Sequence, residues 1–136
     1  MNVSNRLSVF DISGRAMSAQ LVRLNTTASN LANAGSVSGT EAGAFRALKP
    51  IFRAIGEEPG VATVQVDRVI ASATPATRRH EPNHPLADKD GNVWEAGVDS
   101  TAEMVEMMEA SRQYQNNVQV LETAKSLTLD TLRIGR

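Results

Sequence analysis

Apolar residues recur by threes and fours at both ends of the chain, and by twos in its middle. At the N-terminal end Leu7, Phe10, Gly14, Met17, Leu21, Leu24, Ala28 and Leu31 keep the 3-4 spacing that holds one helical seam against a partner helix. The pattern predicts a helix from near Ser4 to near Gly35, with Gly35 as the residue just past its end. Small Gly14 and Ala28 would let a partner approach closely. At 1.5 Å per residue such a helix spans roughly 45 Å, long for a chain of this size.

The C-terminal end is periodic in the same way. One stripe runs Met104, Met107, Ser111, Tyr114, Val118 and Leu121, then Leu132 after polar Lys125 and Thr128. A second runs Val120, Ala124, Leu127, Thr131 and Ile134. Val118 and Val120 lie about 200° apart around a helix, so the predicted element is apolar on two sides. A helical hairpin buries only one of them, and the other needs a further partner. Ser100 with Glu103 forms an S-x-x-E capping pattern, and Glu103, Glu106 and Glu109 suit the positive end of the helix.

Between these ends, FRALKPIFRAI and VATVQVDRVIASATP flank the turn cluster GEEPG. Val64, Val66 and Ile70 alternate onto one face, with a break at Arg68. Pro50 belongs on an edge or at a bulge. TPATRRHEPNHPLADKDGNVW, with its prolines and its DKDG turn, reads as a long and mostly irregular return loop. The expected fold is mainly α: long terminal helices packed as an antiparallel coiled-coil-like pair, with a small β-rich insert of β-hairpin type. The expected units are an N-terminal helix in 1–40, the insert and return loop in 41–98, and a C-terminal helix in 99–136.

Composition narrows the function classes. The chain has 136 residues and a net charge of −1, which gives no pull toward nucleic acid or acidic lipid. It has no cysteine, hence no disulfide framework or thiol chemistry. No apolar run approaches the roughly 20 residues that span a bilayer, and the first residues lack the apolar core of a cleavable signal peptide. Aromatic residues make up 4 % of the chain, so a core this poor in aromatics suggests stability drawn partly from neighbours.

Chemistry finds little purchase. His80 and His84 are four apart, but Pro82 and Pro85 forbid the helix that would aim both at one metal. Asp88-Lys89-Asp90-Gly91 lacks the later ligands of a calcium loop and reads as a tight turn. No nucleophile elbow, phosphate loop or dinucleotide fingerprint occurs. Neither a catalytic residue nor a metal or cofactor site is expected. Trp94 reads as an anchor of the insert against a helix, or as an interface anchor. The Met104, Met107 and Met108 group reads as adaptable core.

One stretch fits none of this. LNTTASNLANAGSVSGT, from Leu24 to Thr40, carries no charge and is rich in residues that form helix poorly. Asn25, Thr26, Thr27, Ser29, Asn30 and Asn33 would weaken a lone helix. They suit a crowded place where short polar groups pair across chains.

Three motifs carry a resemblance. RLNTTASNLANAGSVS resembles the N-terminal signature of the bacterial flagellar rod and hook family, with Asn30, Leu31, Ala32 and Asn33 as its core. MVEMMEASRQYQNNVQVLETAKSLTLDTLRIG is similar to the C-terminal helix of that family. HPLADKDGNVWEAGVDSTAEM, with the short chain, points to its proximal rod branch. Gly35 departs from the acidic or polar residue often found there. The resemblance implies a structural role in the periplasmic drive shaft, around the export channel and transmitting torque. It implies export through the flagellar type III apparatus without a cleaved signal peptide. The implied partners are copies of itself, other rod subunits, the inner-membrane ring adaptor and the export apparatus.

The expected assembly seams follow. Leu7, Phe10, Met17, Leu21, Leu24 and Leu31 form that of the first helix, with Asn30 and Asn33 in its polar end. Tyr114, Val118, Leu121 and Leu132 pack against it. Val120, Ala124, Leu127 and Ile134 face a neighbouring subunit. A self-contained coiled-coil adaptor of a secretion system is the alternative, and an enzyme using His80, His84, Asp88 or Asp90 is a more distant one.

Overall fold

A computed structural model describes residues 8–58 and 61–135. Two helices pack together, and a small β region lies between them in sequence.

Helix α1 spans Val9–Asn33. Its start is set by Ser8, whose hydroxyl accepts from the Asp11 N–H at 3.1 Å. Asp11 in turn accepts from the Ser8 N–H at 3.0 Å and its hydroxyl at 2.6 Å. These bonds hold the Asp11 carboxyl below the usual carboxylate range, the Ser8 hydroxyl contributing most. The expected start at Ser4, and Leu7 with it, lies outside the described residues. Helix α1 ends two residues before Gly35, without left-handed backbone there. Instead the Ser36 N–H and hydroxyl both donate to the Asn33 carbonyl, at 3.0 and 2.8 Å.

Strand β1 (Val37–Ser38) leads into the long hairpin of β2 (Leu48–Glu58) and β3 (Val61–Ala71). The hairpin is two-stranded, so both strands are edges and Pro50 costs the ladder little. Its register shifts between Ile51 and Phe52, opposite Arg68 and Val66, which leaves Asp67 as the extra residue of a bulge. The Asp67 carboxylate is held by Arg53 at 3.4 Å and Arg68 at 3.0 Å.

The return loop is less irregular than its prolines suggest. β4 (Thr77–His80) and β5 (Asn92–Glu95) pair antiparallel, and β5 also pairs with β1, giving the order β1-β5-β4. The turn between them explains why. Asp88 Oδ1 accepts from the N–H groups of Asp90 at 2.9 Å and Asn92 at 2.8 Å, and Gly91 adopts φ +75°. Any side chain at Gly91 would be strained there. The backbone bond from Asn92 is the main reason the Asp88 carboxyl sits below the usual range. A carboxyl with a lowered pKa contributes stability above its unfolded value and loses it as pH falls through the lowered one. The amide resonances of Asp90 and Asn92 should therefore shift with a midpoint below that of an unperturbed aspartate. A shift centred on a higher pH would overturn this account of the turn.

Helix α2 spans Ser100–Ile134, about 52 Å at 1.5 Å per residue. Its cap is Asp99, one residue before the expected Ser100. Asp99 accepts from Thr101 N–H at 3.0 Å and Ala102 N–H at 3.1 Å. Glu103 is thereby free of capping and turns to α1. Asp99→Ala should cost about 1 kcal/mol, read as a lower denaturation midpoint with an unchanged slope.

The core is made of small residues. Among the described residues the buried apolar ones are six alanines (19, 44, 47, 76, 96 and 110) and Val93. The largest fully buried side chains are Val93 and Asn30. A buried Leu, Ile or Phe contributes roughly 1.5–3 kcal/mol, and none among the described residues is fully buried.

Candidate assembly interface

The polar stretch at the end of α1 is consumed largely inside this chain. Asn30 is 1 % exposed. Its Oδ1 accepts from the Leu48 N–H at 2.7 Å, and its Nδ2 donates to the Leu48 carbonyl at 2.9 Å. The same Nδ2 donates to Glu103 Oε2 at 3.0 Å. One side chain thus ties α1 to the first residue of β2 and to the first turn of α2. Thr26 and Thr27 are buried beside it, and Thr26 Oγ1 donates to the Arg23 carbonyl at 2.9 Å. Asn33 Nδ2 donates to its own helix at Ser29. Where pairing across chains was expected, Asn30 is instead an intrachain clamp. An asparagine amide mimics a strand backbone, offering one donor and one acceptor to Leu48.

The buried face of α1 is also set differently from the apolar stripe. Ser13, Thr27 and Asn30 are buried at heptad-type spacing, and Ala19 and Thr26 are buried on a neighbouring face. Phe10 and Leu21 are 46 % and 45 % exposed, which corrects their expected place in a buried seam within the chain. Met17, Leu24 and Leu31 are half-buried. The reason is room. Helix α1 has α2 on one side and the hairpin on another, and small side chains permit both approaches.

On α2 the inward positions are Glu103, Met107, Ala110, Tyr114, Asn117, Leu121 and Ala124, with Ser111 and Val118 beside them. Ala110 is fully buried, and the apolar reading passed over it because alanine is a weak hydrophobic signal. Its 3-4 spacing with Met107 and Tyr114 was the available clue. Arg23 bonds Glu106 across the two helices. Met104 and Met108, expected in the core, are 58 % and 65 % exposed.

The second half of α2 is bare. Val120, Leu127, Leu132 and Ile134 are exposed, and Ala124 is half-buried. Leu132, expected to pack against α1, is 64 % exposed, past the described start of that helix. The hydroxyls of Thr123, Thr128 and Thr131 donate to carbonyls one turn back, at 2.8–2.9 Å. Satisfied in this way, they make the surface drier than its composition implies. A cleft of about 540 Å³ opens between Val9 of α1 and Val120, Ala124 and Leu127 of α2.

The other candidates stay local. His84 Nδ1 accepts from the Leu86 N–H at 3.1 Å, and His80 Nδ1 lies 3.2 Å from Asn92 Oδ1. Trp94 is half-buried in β5, opposite Ser38 and Arg78. No helix among the described residues is long and apolar enough to cross a membrane.

Comparison with known proteins agrees with the helices. Residues 10–39 match the family model described as flagella basal body rod protein. Residues 89–134 match that of the flagellar basal body rod FlgEFG protein C-terminal region. The flagellar basal-body rod protein FlgC of Salmonella typhimurium is 48 % identical over 132 residues, covering 96 % of this chain and 98 % of that one. FlgC of Yersinia enterocolitica is 46 % identical with the same coverage. FlgC of Buchnera aphidicola, from the Baizongia pistaciae host, is 30 % identical over 95 % of this chain and 97 % of its own. With relatives this similar along almost its whole length, and rod-family models matched at both helices, the chain belongs to the flagellar basal-body rod protein family.

Proposed function

We propose that this chain builds the proximal part of the flagellar rod by completing its apolar helix faces with those of neighbouring subunits. As a member of its family it is a structural subunit of the basal-body rod and not an enzyme. The observation that carries the proposal is the imbalance within the chain. Among the described residues the buried apolar ones are alanines and one valine, while Leu127, Leu132 and Ile134 stand 63 %, 64 % and 84 % exposed. Covering each contributes roughly 1–2 kcal/mol, comparable to what the small core leaves missing.

In this reading α1 and α2 pair antiparallel, in coiled-coil fashion. The Asn30–Glu103 and Arg23–Glu106 bonds support it, as does the shared cleft of Val9 and Val120. Residues 1–40 and 99–136 form the rod core around the export channel, and 41–98 the outer insert. Met17, Leu24 and Leu31 join Tyr114, Val118 and Leu121 along the helix pair. Phe10 and Leu21, with Val120, Ala124, Leu127, Leu132 and Ile134, meet other subunits, and Leu7 and Asn33 complete the ends of the first seam. The inner-membrane ring adaptor and the export apparatus are its further neighbours. The subunit leaves the cell without a cleaved signal peptide and transmits torque once assembled.

Two measurements test this. Deletion should leave basal bodies without a completed rod, and the intact chain should restore it; complete rods in the deletion strain would end the proposal. In the purified subunit, amides of 120–134, along the bare end of α2, should exchange fast and become at least a hundredfold slower in isolated rods. Equal protection in both states would favour a self-contained helical adaptor.

A further inference from the structure

The same chain carries an apolar projection and a groove suited to receive it, but at different heights. The groove, of about 590 Å³, lies between the first half of α1 and β3. Phe10, Gly14, Val22, Val64 and Val66 line it, with Arg15 at its polar side. Gly14 leaves it open, since a Cβ built there meets nothing within 4 Å. The projection is the last turns of α2, where Leu129, Leu132 and Ile134 are exposed.

The two cannot meet within one chain. Asn30 is level with Glu103, and Val9 shares a cleft with Val120 and Leu127. Gly14 therefore lies near the level of residues 116–120, and Leu129, on the same side of α2 as Asp130 and Arg133, lies roughly 15–20 Å further along the axis. A second copy displaced by that distance brings its projection level with the groove of the first.

Charge selects this occupant over an arbitrary apolar helix. Asp11 and Arg15 both line the groove, and Asp130 and Arg133 sit on the projection. A copy shifted along the axis keeps α2 antiparallel to α1, the orientation proposed above. In that orientation Arg15 faces Asp130 while Asp11 faces Arg133, so both pairs are of opposite sign. Reversing the helix would set like charges together.

We infer that the groove between α1 and β3 receives the C-terminal end of α2 from a second copy of this chain. The contact is head-to-tail, and contacts of that kind generate a helical array when they do not close. The inference rests on the rod-subunit reading and specifies one of its contacts.

The chain has no cysteine, which makes disulfide trapping clean. In basal bodies from cells carrying G14C and L129C in one chain, oxidation should give dimers and higher multiples. Either exchange alone should give none. Crosslinks from a single exchange, crosslinks to a chain of different mass, or none despite incorporation would overturn the inference. Should the cysteine variants fail to incorporate, Arg15→Asp and Asp130→Arg decide. Each alone should lower incorporation at least tenfold, and both in one chain should restore it; a double variant no better than the singles overturns the contact. Failure of the unaltered chain to enter the rod would instead strike the rod-subunit reading itself.

Discussion

Leu127→Asp should leave the free subunit folded and abolish its incorporation into the rod. The side chain is 63 % exposed, so the exchange removes little packing in the lone chain, and its stability should change by no more than about 0.5 kcal/mol. In the proposed assembly the same position is closed over by an apolar neighbour. A carboxylate there loses its water without gaining a partner, at several kcal/mol or more. A penalty of roughly 3 kcal/mol is more than a hundredfold in association at each contact, and a helical assembly repeats the contact. Cells should be non-motile, with the protein present but absent from isolated basal bodies. Leu127→Met, which keeps volume and polarity, should be tolerated. Normal motility with Leu127→Asp would mean that this face of α2 stays in water.

Asn30→Leu should fail in the opposite manner, by destabilising the subunit itself. Leucine matches the branching of the side chain but leaves the Leu48 N–H and carbonyl without the partners they have at 2.7 and 2.9 Å, and leaves Glu103 without its donor. Each deserted buried group costs roughly 1–3 kcal/mol, so the total is about 3 kcal/mol. For a chain of this length that lowers the melting temperature by roughly 10 °C. Helix α1 should survive by circular dichroism, because leucine is the better helix former. What should be lost is the docking of β2, read as faster amide exchange at Leu48. Asn30→Asp should be worse at neutral pH, since it puts a second carboxylate beside Glu103, and should recover partly as pH falls and the new group protonates. An unchanged melting temperature in Asn30→Leu would show that the clamp adds nothing.

The two variants separate what is readable in the chain from what is not. The bare end of α2 was legible: Val120, Leu127 and Ile134 fall on a second apolar side, and two-sided helices want two partners. The hairpin, its bulge-side proline and the DKDG turn were legible as well, because each depends on neighbours within a few residues. The seam of α1 was legible only in part. Its apolar stripe is real, but Phe10 and Leu21 are left nearly half exposed, and the buried Ser13, Thr27 and Asn30 lie on the adjoining face. Each of them falls one residue before Gly14, Ala28 or Leu31, a rotation of about 100°. Hydropathy marks what some contact will bury in the end. It does not say whether that contact lies within the subunit or between subunits.

Periodicity, capping groups and turn residues were enough to establish two long terminal helices, a β-rich middle and the family motifs, since these are written in short-range order. The clamp at Asn30 was decided only by the tertiary fold. Its partners stand 18 and 73 residues away in sequence, and nothing local distinguishes it from the exposed Asn25. A polar side chain can be buried only where a complementary donor and acceptor arrive together, and their arrival is a property of the packed chain.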